Sequence, residues 1–446
     1  MGPSFASYRL PLGTLLLLAV AAVAGAGETP AGFRIDGDLR LRGEQLTDSF
    51  RPLAPGTDRV LASRLRLRAA YAGARWGGML ELQDARLVGA APLTPVGTDD
   101  VNALEPLQAW VRWRPRPGFE LRLGRQTVDF GSRRLLARNR YRNTANGFSG
   151  ARLRWALADG ARLQALLLYP DRRRPDGRDP RALRANAARL DPLAEAGYLS
   201  GVTLAALPLA EPLQLDAYVL RRVVDDGPRG VGDRDITTVG GRLLRVAGTG
   251  WYGELEAALQ VGRSRLDPRP GAAMGDHRAW FLHGELRHPL PLPVAARLRL
   301  QLDVASGDGD PGDDRQGRFD KLFGARASEL GPTGIYGFFD RSNLLSPAVG
   351  LRLGGERLAL DLDYRAGWLE SERDRLPSAG LRDPAGEAGD FLGHQWSARA
   401  TVVPAPALTL SAGAVYLDRG KFLRQVTPAA ANGAARYLWF ALAYRF

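Results

Sequence analysis

The chain has 446 residues, no cysteine and four histidines, which excludes disulfides, thiolate metal sites and cysteine nucleophiles and leaves too few histidines for a metal cluster. Its formal charge is +13, carried almost wholly by arginine, since Lys321 and Lys421 are the only lysines. Nucleic-acid binders gather basic residues in patches or tails, whereas here arginine alternates with leucine, so no nucleic acid is expected as a partner.

At the N-terminus Arg9 precedes an apolar run from Leu10 to Val23 that closes on Ala24-Gly25-Ala26. That run is too short to cross a bilayer as a helix and has the form of a secretory signal peptide, residues 1–26, cleaved after Ala26 or, second, Ala24. No later window approaches 18 consecutive apolar residues, so residues 27–446 are expected to form one domain whose membrane-spanning option is a β-barrel.

Period-two alternation recurs along the chain between turn signals of Gly, Pro, Asp and Asn. It predicts strands at 33–46, 60–72, 75–86, 103–114, 118–129, 147–158, 160–169, 197–207, 212–223 and 235–246. Further strands are predicted at 250–262, 278–288, 294–306, 346–354, 357–369, 392–402, 406–416 and 436–446, eighteen in all. The fold class is therefore all-β, a single antiparallel transmembrane barrel of about 18 strands, with short periplasmic turns and long extracellular loops. A soluble sandwich would have fewer strands and its polar face outside. Long loops fall near 131–146, 170–196, 263–277, 307–345 and 370–391, as external loops or plugs. The last strand sets Leu438, Phe440, Leu442, Tyr444 and Phe446 on one face, toward outer-membrane lipid. A terminal Phe of this kind resembles the signal read by the barrel-assembly machinery.

Parity assigns the lumen. In Arg64-Leu65-Arg66-Leu67-Arg68 the arginines share one face, and facing lipid near the midplane each would cost ~2–4 kcal/mol, so they point inward. The same reasoning places Arg40, Arg42, Arg112, Arg114, Arg122, Arg152 and Arg154 in the lumen, against Glu44, Glu81 and Glu120 on the same early strands. Later strands supply Asp216, Glu254, Glu256, Glu285, Asp303, Asp361 and Asp363. A guanidinium excess favours carboxylate cargo held bidentately; arginines paired with acids across neighbouring strands would only stiffen the wall.

Between Leu121 and Gly150 the parity slips: Arg122 and Arg125 cannot share a face on a regular strand, so Gly124 marks a bulge or Arg125 sits at the rim. Arg133, Arg134, Arg138, Arg140 and Arg142 then crowd one loop, a basic constriction if it folds inward and a solvated loop otherwise. Asp308, Asp310, Asp313 and Asp314 lie in a Gly-rich loop and are a weak calcium candidate, without the twelve-residue loop pattern or its closing glutamate. His277, His283, His288 and His394 stand beside no Gly-x-Ser-x-Gly elbow, so they read as interfacial or loop residues and no enzyme activity or cofactor is expected.

The series Gly124-Arg125-Gln126, Gly131, Arg134-Leu135 and Arg142-Asn143 resembles the alginate-export family of outer-membrane barrels. So does the stretch from Phe319-Asp320-Lys321-Leu322-Phe323-Gly324 through Gly331-Pro332-Thr333-Gly334-Ile335-Tyr336-Gly337 to Ser342-Asn343-Leu344. Tyr141 stands where many relatives carry tryptophan. The resemblance implies an eighteen-stranded barrel whose Arg-rich lumen passes an anionic polyuronate outward, and it nominates Arg125, Arg133, Arg134, Arg142 and Asn143 as constriction or loop-ordering residues. The expectation is a monomeric channel of the bacterial outer membrane carrying anionic polysaccharide, with periplasmic export partners. Uptake of small organic anions is the alternative.

Overall fold

The computed structural model describes residues 32–446 except 53, 55, 95, 194–196, 226–231, 246–249, 267–270 and 428–432. The expected signal peptide lies outside the described residues. Strands follow one another as β1 (Phe33–Thr47), β2 (Thr57–Ala72), β3 (Trp76–Val88), β4 (Asn102–Trp113), β5 (Phe119–Gln126) and β6 (Phe148–Ala156). Next come β7 (Arg162–Pro170), β8 (Gly197–Ala210), β9 (Leu213–Val224), β10 (Arg234–Arg245), β11 (Tyr252–Arg265) and β12 (Met274–Leu290). The series ends with β13 (Ala296–Ala305), β14 (Arg315–Gln316), β15 (Leu344–Gly354), β16 (Leu358–Trp368), β17 (Phe391–Ala405), β18 (Leu408–Arg419) and β19 (Ala435–Arg445).

Each strand pairs antiparallel with its sequence neighbour, except β14, two residues inside a loop that run parallel to Asp276 and His277 of β12. The other eighteen close on themselves, because β1 pairs with β2 on one side and with β19 on the other, from Asp38↔Arg445 to Thr47↔Arg436. Closure removes the sheet edge and satisfies backbone groups that lipid cannot hydrate. Both ends of the barrel sequence leave at the rim of the short turns, the periplasmic side by the usual asymmetry of such barrels.

The Leu/Arg alternation explains the wall. Leu438 and Phe440 of the last strand are 53% and 54% exposed on the outside, while Tyr437, immediately before them and on the other face, is fully buried. The core lies within the barrel, where residues of the inward-folded loops pack against wall side chains. One cluster gathers Phe50, Tyr336, Phe338, Phe339, Phe422 and Tyr437, a second Leu135, Leu136, Phe148, Phe281 and Phe319. Each such side chain contributes about 1.5–3 kcal/mol when fully buried, enough to hold the loops inside the barrel.

Candidate functional site: the lumen

The register places guanidiniums side by side. Arg112, Arg122 and Arg152 stand directly opposite one another on β4, β5 and β6, and Arg40 faces Arg64 on β1 and β2. Like charges in directly opposed positions destabilise a sheet unless something answers them. For Arg40 and Arg64 the answer is backbone: Arg40 donates to the carbonyls of Tyr141 and Arg142, both at 2.8 Å, and Arg64 to those of Arg140 and Arg142, both at 3.1 Å. Arg42 donates to Tyr141 O at 2.8 Å and pairs with Glu44 at 2.6 Å. These wall arginines anchor the 127–147 loop inside the barrel, and Asn143 completes the anchor by donating to the carbonyls of Ser63, Arg86 and Asp100.

The row on β4 to β6 is answered far less. Arg122 pairs with Glu120 at 3.1 Å, an acid shared with Arg114 at 2.7 Å, and lies 3.7 Å over the Trp110 ring. Among the described residues Arg112 donates only to Gly73 O, at 3.2 Å, and Arg154 to Gln164, at 3.2 Å. Arg152 has no ion pair among the described residues, and the Nε atoms of Arg112, Arg122 and Arg152 are all buried without a partner. Arg66 donates to the neutral Gln83 at 2.8 Å and makes no ion pair among the described residues, whereas Arg68 is paired with Asp36 and with Asp38 at 2.8 Å. A net positive wall therefore faces the periplasmic half of the lumen.

The facing wall carries a second basic array that the set of site residues chosen from sequence omitted. Arg297, Arg352, Asp361 and Arg399 are directly opposed across β13, β15, β16 and β17, and Arg287 opposes Arg299. Asp361 accepts from Arg352 at 2.9 Å and Arg399 at 2.8 Å, and Asp363 pairs with Arg299 at 2.5 Å. With Tyr141 and Trp439 these five arginines line a cavity of about 480 Å³. The signal was present as Arg297-Leu298-Arg299 and Leu351-Arg352-Leu353, the same alternation used for the early strands.

Two loops fold into the lumen and meet there. Phe323 N donates to Leu135 O at 2.9 Å, Ala325 N to Arg133 O at 2.9 Å and Ala137 N to Phe323 O at 3.2 Å, a short parallel contact between the 127–147 and 306–343 loops. Gly324 is required at this crossing, because a Cβ there would collide with the carbonyl oxygen of Arg134. The crossing is pinned by Arg134, only 2% exposed, which pairs with Glu254, with Glu256 at 2.6 Å and with Glu329 at 2.7 Å. His283 sits 2.6 Å from the same guanidinium and 2.8 Å from Asp303. Burial pushes the Glu329 carboxyl up, but the guanidiniums of Arg134 and Arg341 overrule it and hold it below the usual carboxylate range. Arg341 pairs with Glu329 at 2.6 Å and Arg365 donates to Glu329 O at 2.8 Å. The acids of the later strands are thus neutralised by loop and late-strand arginines, leaving the early-strand row with Glu120 as its one paired acid among the described residues.

Several sequence expectations are revised by this geometry. Arg134 is a buried latch and offers no free charge to cargo. Arg125, next to last in β5, is in unbroken register, with no bulge at Gly124, and is pinned by Glu105 at 2.5 Å and Asp171 at 2.8 Å, tying down the start of the loop after β7. Arg142 pairs with Asp99 at 2.8 Å, and Arg133 is exposed. His277 and His283 are buried on inward-facing positions, neither interfacial nor in loops. Among the described residues the four loop carboxylates do not converge as calcium ligands: Asp308 accepts from Gly317 N across the loop, while Asp310 accepts from Gly312 N and Asp313 from Arg315 N, each closing a local turn. Among the described residues the acid and histidine cluster close enough to share an ion is instead His283, Asp303 and Glu329. Arg134 and Arg365 already occupy its acceptors.

The sequence model of a family described as alginate export matches residues 33–436. No curated protein matches the chain. Among solved structures, OpdK of Pseudomonas aeruginosa with vanillate aligns at 15% identity over 92% of this chain and 98% of its own, with a TM-score of 0.56. OccAB2 of Acinetobacter baumannii aligns at 14% identity over 93% and 98%, with a TM-score of 0.57. At such identity these likenesses show the fold.

Proposed function

Since the chain belongs to the alginate-export family and forms an outer-membrane channel, we propose that it passes an anionic polysaccharide, an alginate-like polyuronate, outward. The observation that carries this reading is the in-register row Arg112, Arg122 and Arg152, with a single neighbouring carboxylate, at the periplasmic half of the lumen. A polyuronate presents one carboxylate per sugar, and guanidiniums repeating along a wall can receive successive carboxylates while each is released to the next. Basic walls on the periplasmic side raise the local concentration of anionic chain where export begins. The channel works by passage alone, without chemistry on its cargo. Residues 1–26 serve export of the precursor, the terminal strand addresses the barrel-assembly machinery, and a periplasmic partner delivers the polymer.

Uptake of small organic anions is the second reading, favoured by the 480 Å³ cavity, a volume suited to one small molecule, and by the vanillate held in the similar OpdK structure. The two are separated by adding oligouronate to single channels in a planar bilayer. Side-dependent block, weakened in Arg112→Ala/Arg122→Ala/Arg152→Ala, supports polysaccharide passage. Block by small aromatic carboxylates with none by oligouronate transfers the assignment to the second reading.

A further inference from the structure

The outer face of β8 to β12 can be read row by row from the register. Val202, Val219, Val239, Leu259 and Trp280 are directly opposed and all exposed, one apolar row toward the acyl chains. Two residues nearer the long-loop rim on the same face stand Arg221 and Arg278, in a row with Thr237 and Val261. Two residues beyond that come Asp235, Arg263 and Asp276, again directly opposed. Three arginines and two aspartates thus lie immediately above the apolar band, at the depth of the outer-leaflet headgroups.

Their side chains are available. Arg221 is 51% exposed and holds Asp235 in a two-pronged pair at 2.8 and 2.7 Å, using two of its five N–H donors. Arg278 is 64% exposed and 3.7 Å from Asp276, and exposed Arg263 donates to Met274 O at 3.2 Å. Arg221 and Arg278 are three strand spacings apart, ~14 Å along the wall. Guanidinium takes phosphate oxygens in a planar two-point fit, and it does so best where water is thinned, as at a lipid boundary.

We propose that this sector binds the phosphorylated glycolipid of the outer leaflet, its phosphates on Arg221, Arg263 and Arg278 and its acyl chains along the valine row. A disaccharide headgroup with a phosphate at each end matches both the spread of the arginines and the leaflet they face. Asp235 and Asp276 orient the guanidiniums. The site is on the outside of the wall and is independent of what the lumen conducts.

The test uses the whole barrel in detergent, titrated with purified bisphosphorylated lipid A and, separately, with phosphatidylglycerol, bound lipid being counted by native mass spectrometry. Arg221→Gln/Arg263→Gln/Arg278→Gln should bind lipid A more weakly on the order of tenfold, with single-channel conductance unchanged as the check on folding. If the triple variant fails to fold, Arg278→Gln alone should still weaken lipid A. Unchanged lipid A affinity in the folded variants, or equal affinity of the wild type for phosphatidylglycerol, overturns the proposal.

Discussion

Replacing Arg134 by alanine should release both inward loops. The guanidinium touches Glu254, Glu256, Glu329 and His283 and is almost fully buried, so its removal leaves buried Glu256 without a cation and takes one of two from Glu254 and Glu329, which keep Arg242 and Arg341. Breaking a buried pair in this way costs on the order of 3–5 kcal/mol. The barrel wall is held by its own hydrogen-bonded ladder, so the loss falls on docking of the loops, shifting the docked-to-undocked ratio by about 10²–10⁴. Single-channel recording is the assay: the wild type should show a small, steady conductance and Arg134→Ala a larger, noisier one, with the heat-modifiable electrophoretic shift of a folded barrel retained. A folded variant with wild-type conductance and noise would refute the latch.

Arg125→Ala should leave Glu105 and Asp171 buried and unpaired and loosen the 171–196 loop by on the order of 3 kcal/mol, read as faster tryptic cleavage there. Asp191, in the same loop, is pushed up to about 7 by burial and then by Glu105 beside it. A carboxyl raised in the folded state favours docking fully below its ordinary value and loses that contribution as pH climbs through 7. The Arg174 amide, which donates to Asp191 at 2.6 Å, should therefore exchange faster at pH 8 than at pH 5 after correction for intrinsic rates. Asp191→Asn should flatten that difference, and an unchanged pH dependence would count against it. Gly334→Ala should undock the tip of the 306–343 loop and raise channel noise, since at φ +75° a Cβ would strike the Glu44 carboxylate.

The wall was legible because a membrane barrel forces period-two alternation on each strand. β1, predicted at 33–46, runs Phe33–Thr47, and β10, predicted at 235–246, runs Arg234–Arg245. β12, predicted at 278–288, begins four residues earlier and ends two later, at Met274–Leu290; Met274-Gly275-Asp276-His277 carries no apolar alternation and continues only by pairing with β11 and β14. The inward direction of Arg40, Arg64 and Arg152 followed from parity alone. Their partners did not, because Arg40 and Arg64 are answered by backbone carbonyls 76 to 102 residues away, and a carbonyl leaves no mark in sequence. Arg134 looked like free positive charge for the same reason: Glu254, Glu256 and Glu329 reach it only after two distant loops cross. The family resemblance pointed to the loop segments that matter while leaving latch and lining undistinguished.

The most direct measurement is the reversal potential of the purified, refolded barrel in a planar bilayer under a potassium chloride gradient. The net positive Arg112, Arg122 and Arg152 row and the facing Arg297, Arg352 and Arg399 array require a potential displaced toward the chloride equilibrium value, and a displacement that shrinks when the Arg112, Arg122 and Arg152 row is replaced by alanine. A potential displaced toward the potassium value, or one indifferent to that replacement, would contradict an arginine-governed anion channel.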